Sequence, residues 1–248
     1  MNLRRCAILR EMGLAPLWRL RLPAEAEAAD THVGTNANID ADVPAESSPV
    51  ATGIRNVLSP RVTTMDWQEL EETIRACRAC ALCEKRTQAV PGVGDRQARW
   101  MFVGEGPGAE EDRRGEPFVG QAGRLLDHML AAIGLKRGED VYIANAVKCR
   151  PPLNRTPEAA EIAMCAAFLD RQIALIRPRL LIALGRPAAQ ALLGREISIA
   201  VARGKRFERD GVPVIVTYHP AYLLRNPLDK GKAWEDLCFA RRAVAEAT

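Results

Sequence analysis

Residues 100–108 read Trp100-Met101-Phe102-Val103-Gly104-Glu105-Gly106-Pro107-Gly108, four apolar side chains in a row followed by a segment dominated by glycine and proline. So short an apolar run, closed by turn residues, predicts a strand buried on both faces and entering a tight loop. The pattern recurs. Val141-Tyr-Ile143 precedes Asn145, Leu180 to Leu184 precedes Gly185, and Val214 to Thr217 precedes His219-Pro220. Helical patterns lie between these runs. Leu125, Leu126, Met129, Leu130 and Ile133 form one apolar stripe closed by Gly134, and Thr156-Pro157 opens another that runs through Ile162, Phe168 and Ile176 to Pro178. A short Ala-rich helix follows Gly185, and a last helix starts near Asp229. Asp210-Gly211 marks a hairpin leading into the final strand. Buried strands alternating with helices predict an α/β fold, a three-layer α/β/α sandwich around a central, mostly parallel four-stranded sheet.

In such sheets the ligand crevice lies beyond the carboxyl ends of the strands, so the 104–108 loop, Asn145, Gly185 and His219 are expected to converge. Singly, each has a plainer reading. The Gly104-x-Gly-x-Gly108 spacing is not that of a dinucleotide fingerprint, Asn145 suits a turn, and His219 suits a helix cap. Their shared location gives them weight.

Outward from this body, the 248-residue chain carries a formal charge of +4, with 35 Lys and Arg against 31 Asp and Glu. Residues 1–60 hold 6 of the basic and 7 of the acidic side chains, which leaves 29 against 24, or +5, for the remainder. That mild excess is compatible with a nucleic-acid partner. Residues 1–21 carry Ile8, Leu9, Met12, Leu17 and Trp18 among arginines, enough for a short amphipathic segment that could dock a protein partner or pack on its own domain. Residues 22–60 are an expected disordered acidic linker: 22–53 contain six acids, no Lys or Arg, and no apolar period. Residues 61–248 form the expected domain, with Asp66 and Glu69 as a capping box at its start. The longest apolar runs, as at Leu180 to Leu184, fall far short of the ~18 residues of a membrane span. Arg10 and Glu11 interrupt any secretory leader, so the expected location is cytoplasmic and away from membranes.

Seven cysteines, at positions 6, 77, 80, 83, 149, 165 and 238, are an odd number for a disulfide framework. Cys77-x2-Cys80 together with Cys149 and Cys165 suits either a structural zinc or an iron–sulfur cluster, since both take four thiolates. Cys83 extends the first pair into a second possible spacing. Cys6 and Cys238 stand apart and read as ordinary apolar thiols.

Five ordered motifs now resemble a known family. Cys77-x2-Cys80-x-Leu82-x3-Arg86-Thr87, Val103-Gly-Glu-Gly-Pro-Gly-x-Glu-Glu-Asp112, Gly115-x-Pro-Phe-Val-Gly120-x-Ala-Gly123, Asn145-x2-Lys-Cys-Arg-Pro-Pro152-x-Asn-Arg155 and His219-Pro-Ala-Tyr-Leu-Leu-Arg225-Asn226 look like the family 4, iron–sulfur, uracil-DNA glycosylases. The resemblance spans roughly residues 66–245. It implies a uracil-DNA glycosylase-like fold, a [4Fe-4S] cluster on Cys77, Cys80, Cys149 and Cys165 with a structural role, and a monomer acting on uracil-containing DNA, single- or double-stranded, in base excision repair.

The resemblance also implies roles in the crevice. Phe118 would stack on an extruded base, and Asn145 would read its edge. The backbone of Gly104, Glu105, Gly106 and Pro107 would bind a carbonyl, and His219 would donate to uracil O2. Glu105 and Glu111 are candidates to orient water, because Gly106 stands where the family 1 glycosylases carry an aspartate. Arg150, Asn154, Arg155 and Arg225 would meet phosphates. Leu223 or Leu224 would wedge into the vacated stack, and a second basic patch runs through Arg203, Lys205, Arg206 and Arg209. A DNA-binding iron–sulfur protein without glycosylase activity and a zinc-bound interaction module are the rival readings.

Overall fold

The computed structural model describes residues 59–246. The expected N-terminal segment 1–21, nearly all of the linker 22–60, and Cys6 lie outside the described residues.

Three short helices come first: α1 (Ser59–Val62), α2 (Trp67–Ala76) and α3 (Leu82–Lys85). The predicted capping box is present on α2, where Asp66 accepts from the Glu69 N–H and Glu69 from that of Asp66. Strand β1 (Val93–Gly94), β2 (Trp100–Gly104), α4 (Ala109–Arg114), α5 (Gln121–Ala132) and β3 (Val141–Asn145) follow. The second half runs through α6 (Ala159–Ile176), β4 (Leu180–Leu184), α7 (Arg186–Leu193), α8 (Ile199–Ala202), β5 (Arg206–Arg209), β6 (Val212–Thr217), α9 (Pro220–Arg225) and α10 (Lys230–Glu246).

The sheet is six-stranded, ordered β1-β3-β2-β4-β6-β5. Its four inner strands are parallel, as expected. The expectation of only four strands is corrected by two antiparallel edges, β1 on β3 and β5 on β6. These edges are short or partly exposed, so they lack the apolar run by which the inner strands announce themselves. Asp210 and Gly211 both take positive φ (49° and 81°), the backbone that joins β5 to β6 in a tight hairpin.

Strand residues alternate between two cores. Trp100, Phe102, Ile143, Ile182 and Ile215 face α5 and α10, whereas Met101, Val103, Ala144, Leu181 and Val216 face α6 and α7. This is the three-layer α/β/α arrangement. A third cluster seats Leu70, Ile74 and Leu82 against Val147, Ile162 and Phe168, which joins the helices before the sheet to α6.

One expected boundary shifts. Helix α6 begins at Ala159, after Glu158, rather than at Thr156-Pro157. Glu161 Oε2 accepts the Glu158 N–H at 2.8 Å and fixes the start there, while Thr156 instead hydrogen-bonds Glu105.

Candidate active site

The chain order crosses β2 between its neighbours, β3 on one side and β4 on the other, and the crevice opens where the carboxyl ends of these strands separate. There, Gly104 ends β2 directly opposite Asn145 at the end of β3. A Cβ on Gly104 would stand 2.4 Å from Asn145 Oδ1 and 2.5 Å from the Phe118 ring, so glycine is what lets these two side chains meet. Together with Glu105, Gly106, Pro107 and His219 they line one open cavity of about 780 Å³. The predicted convergence holds.

Asn145 is buried, and its Oδ1 lacks a hydrogen-bond partner among the described residues. A buried acceptor left open costs stability unless a ligand completes it. Its main chain is gripped from beneath: the fully buried Lys148 donates from Nζ to the Asn145 carbonyl at 2.9 Å and to Gln172 Oε1 at 2.7 Å. Burial pulls the Lys148 ammonium down to about 8. Lysine normally signals surface in a sequence, so nothing pointed to this role.

Phe118 has a positive φ of 56°, a strained conformation for an aromatic residue. Two features hold it. The Arg137 guanidinium donates to the Pro117 and Phe118 carbonyls at 2.9 and 2.8 Å, and Gly123 lies so close that a Cβ there would overlap the Phe118 carbonyl. The ring centres of Phe118 and His219 are 5.4 Å apart.

His219 caps α9, its Nδ1 accepting the Ala221 N–H at 3.1 Å. That bond places the imidazole proton on Nε2. Burial, then the nearby Arg225 charge, pushes the imidazole down to about 4 against a weak opposing pull from Glu111, so it is a neutral donor. Glu105 is held above the ordinary carboxylate range by burial, against the pull of Thr156, Arg186 and Arg225.

Glu111, a candidate water-orienting group on the crevice wall, is engaged by the main chain. Its Oε2 accepts from the Gly108 N–H (3.1 Å) and its Oε1 from the Val119 and Gly120 N–H groups (2.9 and 3.0 Å). The carboxylate therefore clamps the glycine loop to the Phe118 segment.

Around the mouth, Arg225 is exposed, and Arg186, absent from the sequence expectations, joins it on the cavity wall. Asn154 accepts from Arg150 Nε at 2.7 Å, while Arg155 forks onto Glu161 at 2.8 and 2.6 Å. Arg155 thus braces its loop rather than offering a free cation. Leu223 is corrected as a wedge: it is fully buried in the core between α5 and α10. Leu224, one step round the helix, is 42% exposed. The second basic patch is also partly committed, since Arg203 pairs with Asp236 and Arg209 with Asp170. Lys205 and Arg206 remain exposed.

Away from the crevice, Cys77, Cys80, Cys149 and Cys165 line a single small cavity, with Cys83 on the same wall. Arg86 donates to Cys149 Sγ at 2.8 Å and the Lys148 N–H to Cys165 Sγ at 3.4 Å. Burial pushes the Cys165 thiol up to about 12, and raises Cys149 and Cys80 as well. Along the chain only Ala146 and Val147 separate Asn145 of the crevice from Lys148 of this cavity, and only Arg150 separates Cys149 from Pro151 on the crevice wall.

Comparison with known proteins agrees with the geometry. The model of the uracil DNA glycosylase superfamily matches residues 91–238. A type-4 uracil-DNA glycosylase of Pyrobaculum aerophilum is 45% identical over 183 residues, 71% of this chain and 93% of that protein. Those of Thermotoga maritima and Archaeoglobus fulgidus are 49% and 47% identical, over 63% and 64% of this chain and 82% and 83% of theirs. The strand ends and the crevice they line fall inside the matched residues, and with relatives of this identity covered over most of their length the chain belongs to the type-4 family of the uracil-DNA glycosylase superfamily.

Proposed function

We propose that this protein hydrolyses the N-glycosidic bond of deoxyuridine in DNA, releasing uracil and leaving an abasic site, and so initiates base excision repair. The open Asn145 Oδ1 carries the reading. Uracil presents an N3–H donor beside its O4 acceptor, so one carboxamide can accept from the first and donate to the second. Cytosine offers the reverse pattern, and a site built to bond one edge rejects the other strongly.

Cleavage leaves an oxocarbenium-like sugar and an anionic base whose charge collects on O2. The neutral His219 donates from Nε2 to that oxygen, where a preorganised donor contributes most in the transition state. Phe118 stacks on the extruded ring, backbone N–H groups of the glycine loop hold the base, and Glu105, secured by Thr156, orients the water attacking C1′. Arg150 and Arg225 meet phosphates, and Leu224 is the exposed candidate on α9 for filling the stack. The protein acts as a monomer in the cytoplasm.

Cys77, Cys80, Cys149 and Cys165 would hold a [4Fe-4S] cluster. Their fit rests on four thiols around one cavity with N–H donors aimed at two of the sulfurs, as thiolate ligands require. Such a cluster supplies a cross-link between the start of the domain, the loop after β3 and α6, and no bond-making step. Incubating the full chain with a uracil-containing oligonucleotide should release free uracil and give strands that break in alkali. Strands left intact by alkali would overturn the glycosylase reading.

A further inference from the structure

The loop after Cys149 breaks two rules of local structure at its tip. Leu153 is 96% exposed and has a φ of 54°, and Asn154 behind it has a φ of 55°. A left-handed backbone costs a branched residue roughly 1–2 kcal/mol, and strain of this kind persists only where the surroundings over-determine it. They do so here. The Asn154 N–H bonds the Pro151 carbonyl at 3.0 Å, that of Arg155 bonds Pro152 at 3.1 Å, Arg150 holds the Asn154 side chain, and Glu161 holds that of Arg155. The loop is a braced support that presents one bare leucine.

Its position decides what the leucine is for. Pro151, Asn154 and Arg155 form part of the wall of the crevice, so Leu153 stands on the rim of its mouth. Leu228 is equally exposed, at 95%, yet it has no left-handed backbone and neither of its neighbours lines the crevice. An isolated exposed leucine is unremarkable; one held out by strained backbone beside a binding cavity is not.

We propose that Leu153 is a positioning residue for duplex DNA: it enters the base stack where the target nucleotide leaves and holds the gap open, from a different rim of the crevice than α9. The inference rests on the glycosylase reading. A nucleotide turned out of a duplex leaves two apolar base faces in water, and an aliphatic side chain on a stiff loop covers them without first being ordered. In single-stranded DNA there is no such gap, so Leu153 has nothing to fill.

The test compares the parent protein with L153A and L153M on uracil in duplex and in single strands. L153A is expected to lose at least roughly tenfold in kcat/KM on duplex, more with uracil opposite adenine than opposite guanine, and less than about twofold on single strands. L153M should keep most of the parent rate. A pyrene nucleotide opposite the uracil, which fills the stack itself, should restore L153A. The melting temperature should not move, because the side chain makes no packing contact to lose. Equal losses on both substrates, no loss on duplex, or no rescue by pyrene would overturn the proposal. Failure of the parent to release uracil even from single strands would instead overturn the glycosylase reading beneath it.

Discussion

Holding the His219 imidazole near 4 by burial and by the charge of Arg225 keeps a proton off Nδ1, which is already occupied by the Ala221 N–H. Neutrality is thus built in across the ordinary pH range. Uracil release should show no inflection at 6.5 and should fall only as pH approaches 4, which a single-turnover pH profile would reveal. The stability consequence has a definite sign. Between about 6.5 and 4 the unfolded chain binds a proton at this residue that the folded one refuses, so His219 makes the fold less stable as pH drops through that window. Replacing it with alanine should cost roughly 10²–10³ in kcat while leaving affinity for duplex DNA intact, because a donor to developing charge acts mainly in the transition state. Glu111 belongs at this scale too. An acidic residue three positions beyond a glycine-rich loop looks like chemistry in a sequence, and only its three backbone N–H partners identify it as a clamp.

The turn that follows β3 is the element on which both halves of the site depend. Asn145 ends the strand, Lys148 reaches back to the Asn145 carbonyl from the buried side, and Cys149 opens the braced loop. Lys148→Met would leave that carbonyl and Gln172 Oε1 without a donor inside the protein. Unfolding in urea should show a loss of about 2 kcal/mol, the usual scale for stranding buried acceptors, and uracil excision should fall with it as Asn145 loosens. Unchanged stability would show that Lys148 merely fills space. The Phe118 segment is an element of the same kind, a strained aromatic backbone held between Arg137 and the bare Cα of Gly123. Neither partner was legible beforehand. Arg137 lies 19 residues beyond Phe118, and a guanidinium that holds two carbonyls cannot be told in sequence from one in solvent.

Across the whole molecule, the basic excess of the domain is partly spent inside it, since Arg155, Arg203 and Arg209 are tied to carboxylates. Arg150, Arg186 and Arg225 remain around the crevice, so the logarithm of duplex affinity should fall against the logarithm of salt with a slope near −3, at about −0.9 per phosphate. A titration of binding at several ionic strengths checks this, and a slope near zero would mean that these arginines face away from DNA. Most of the architecture was legible, because strands buried on both faces must be apolar runs and the loops that end them must be rich in glycine. The sequence alone therefore places Gly104, Asn145 and His219 at one end of the sheet. It does not place edge strand β1, since its two half-buried residues leave no distinctive composition, and β5 was signalled only by the Asp210-Gly211 turn that joins it to β6. Nor does it decide between Leu223 and Leu224. Residues adjacent in a helix point about 100° apart, and which of them meets the core depends on the rotation of α9 against α5, a contact between segments nearly a hundred residues apart. Short-range chemistry, in short runs, caps and turns, is written in neighbouring residues. The partners of Lys148, Glu111 and Arg137, and the exposure of Leu153, arise from packing between distant parts of the chain, where only the folded structure decides which groups meet.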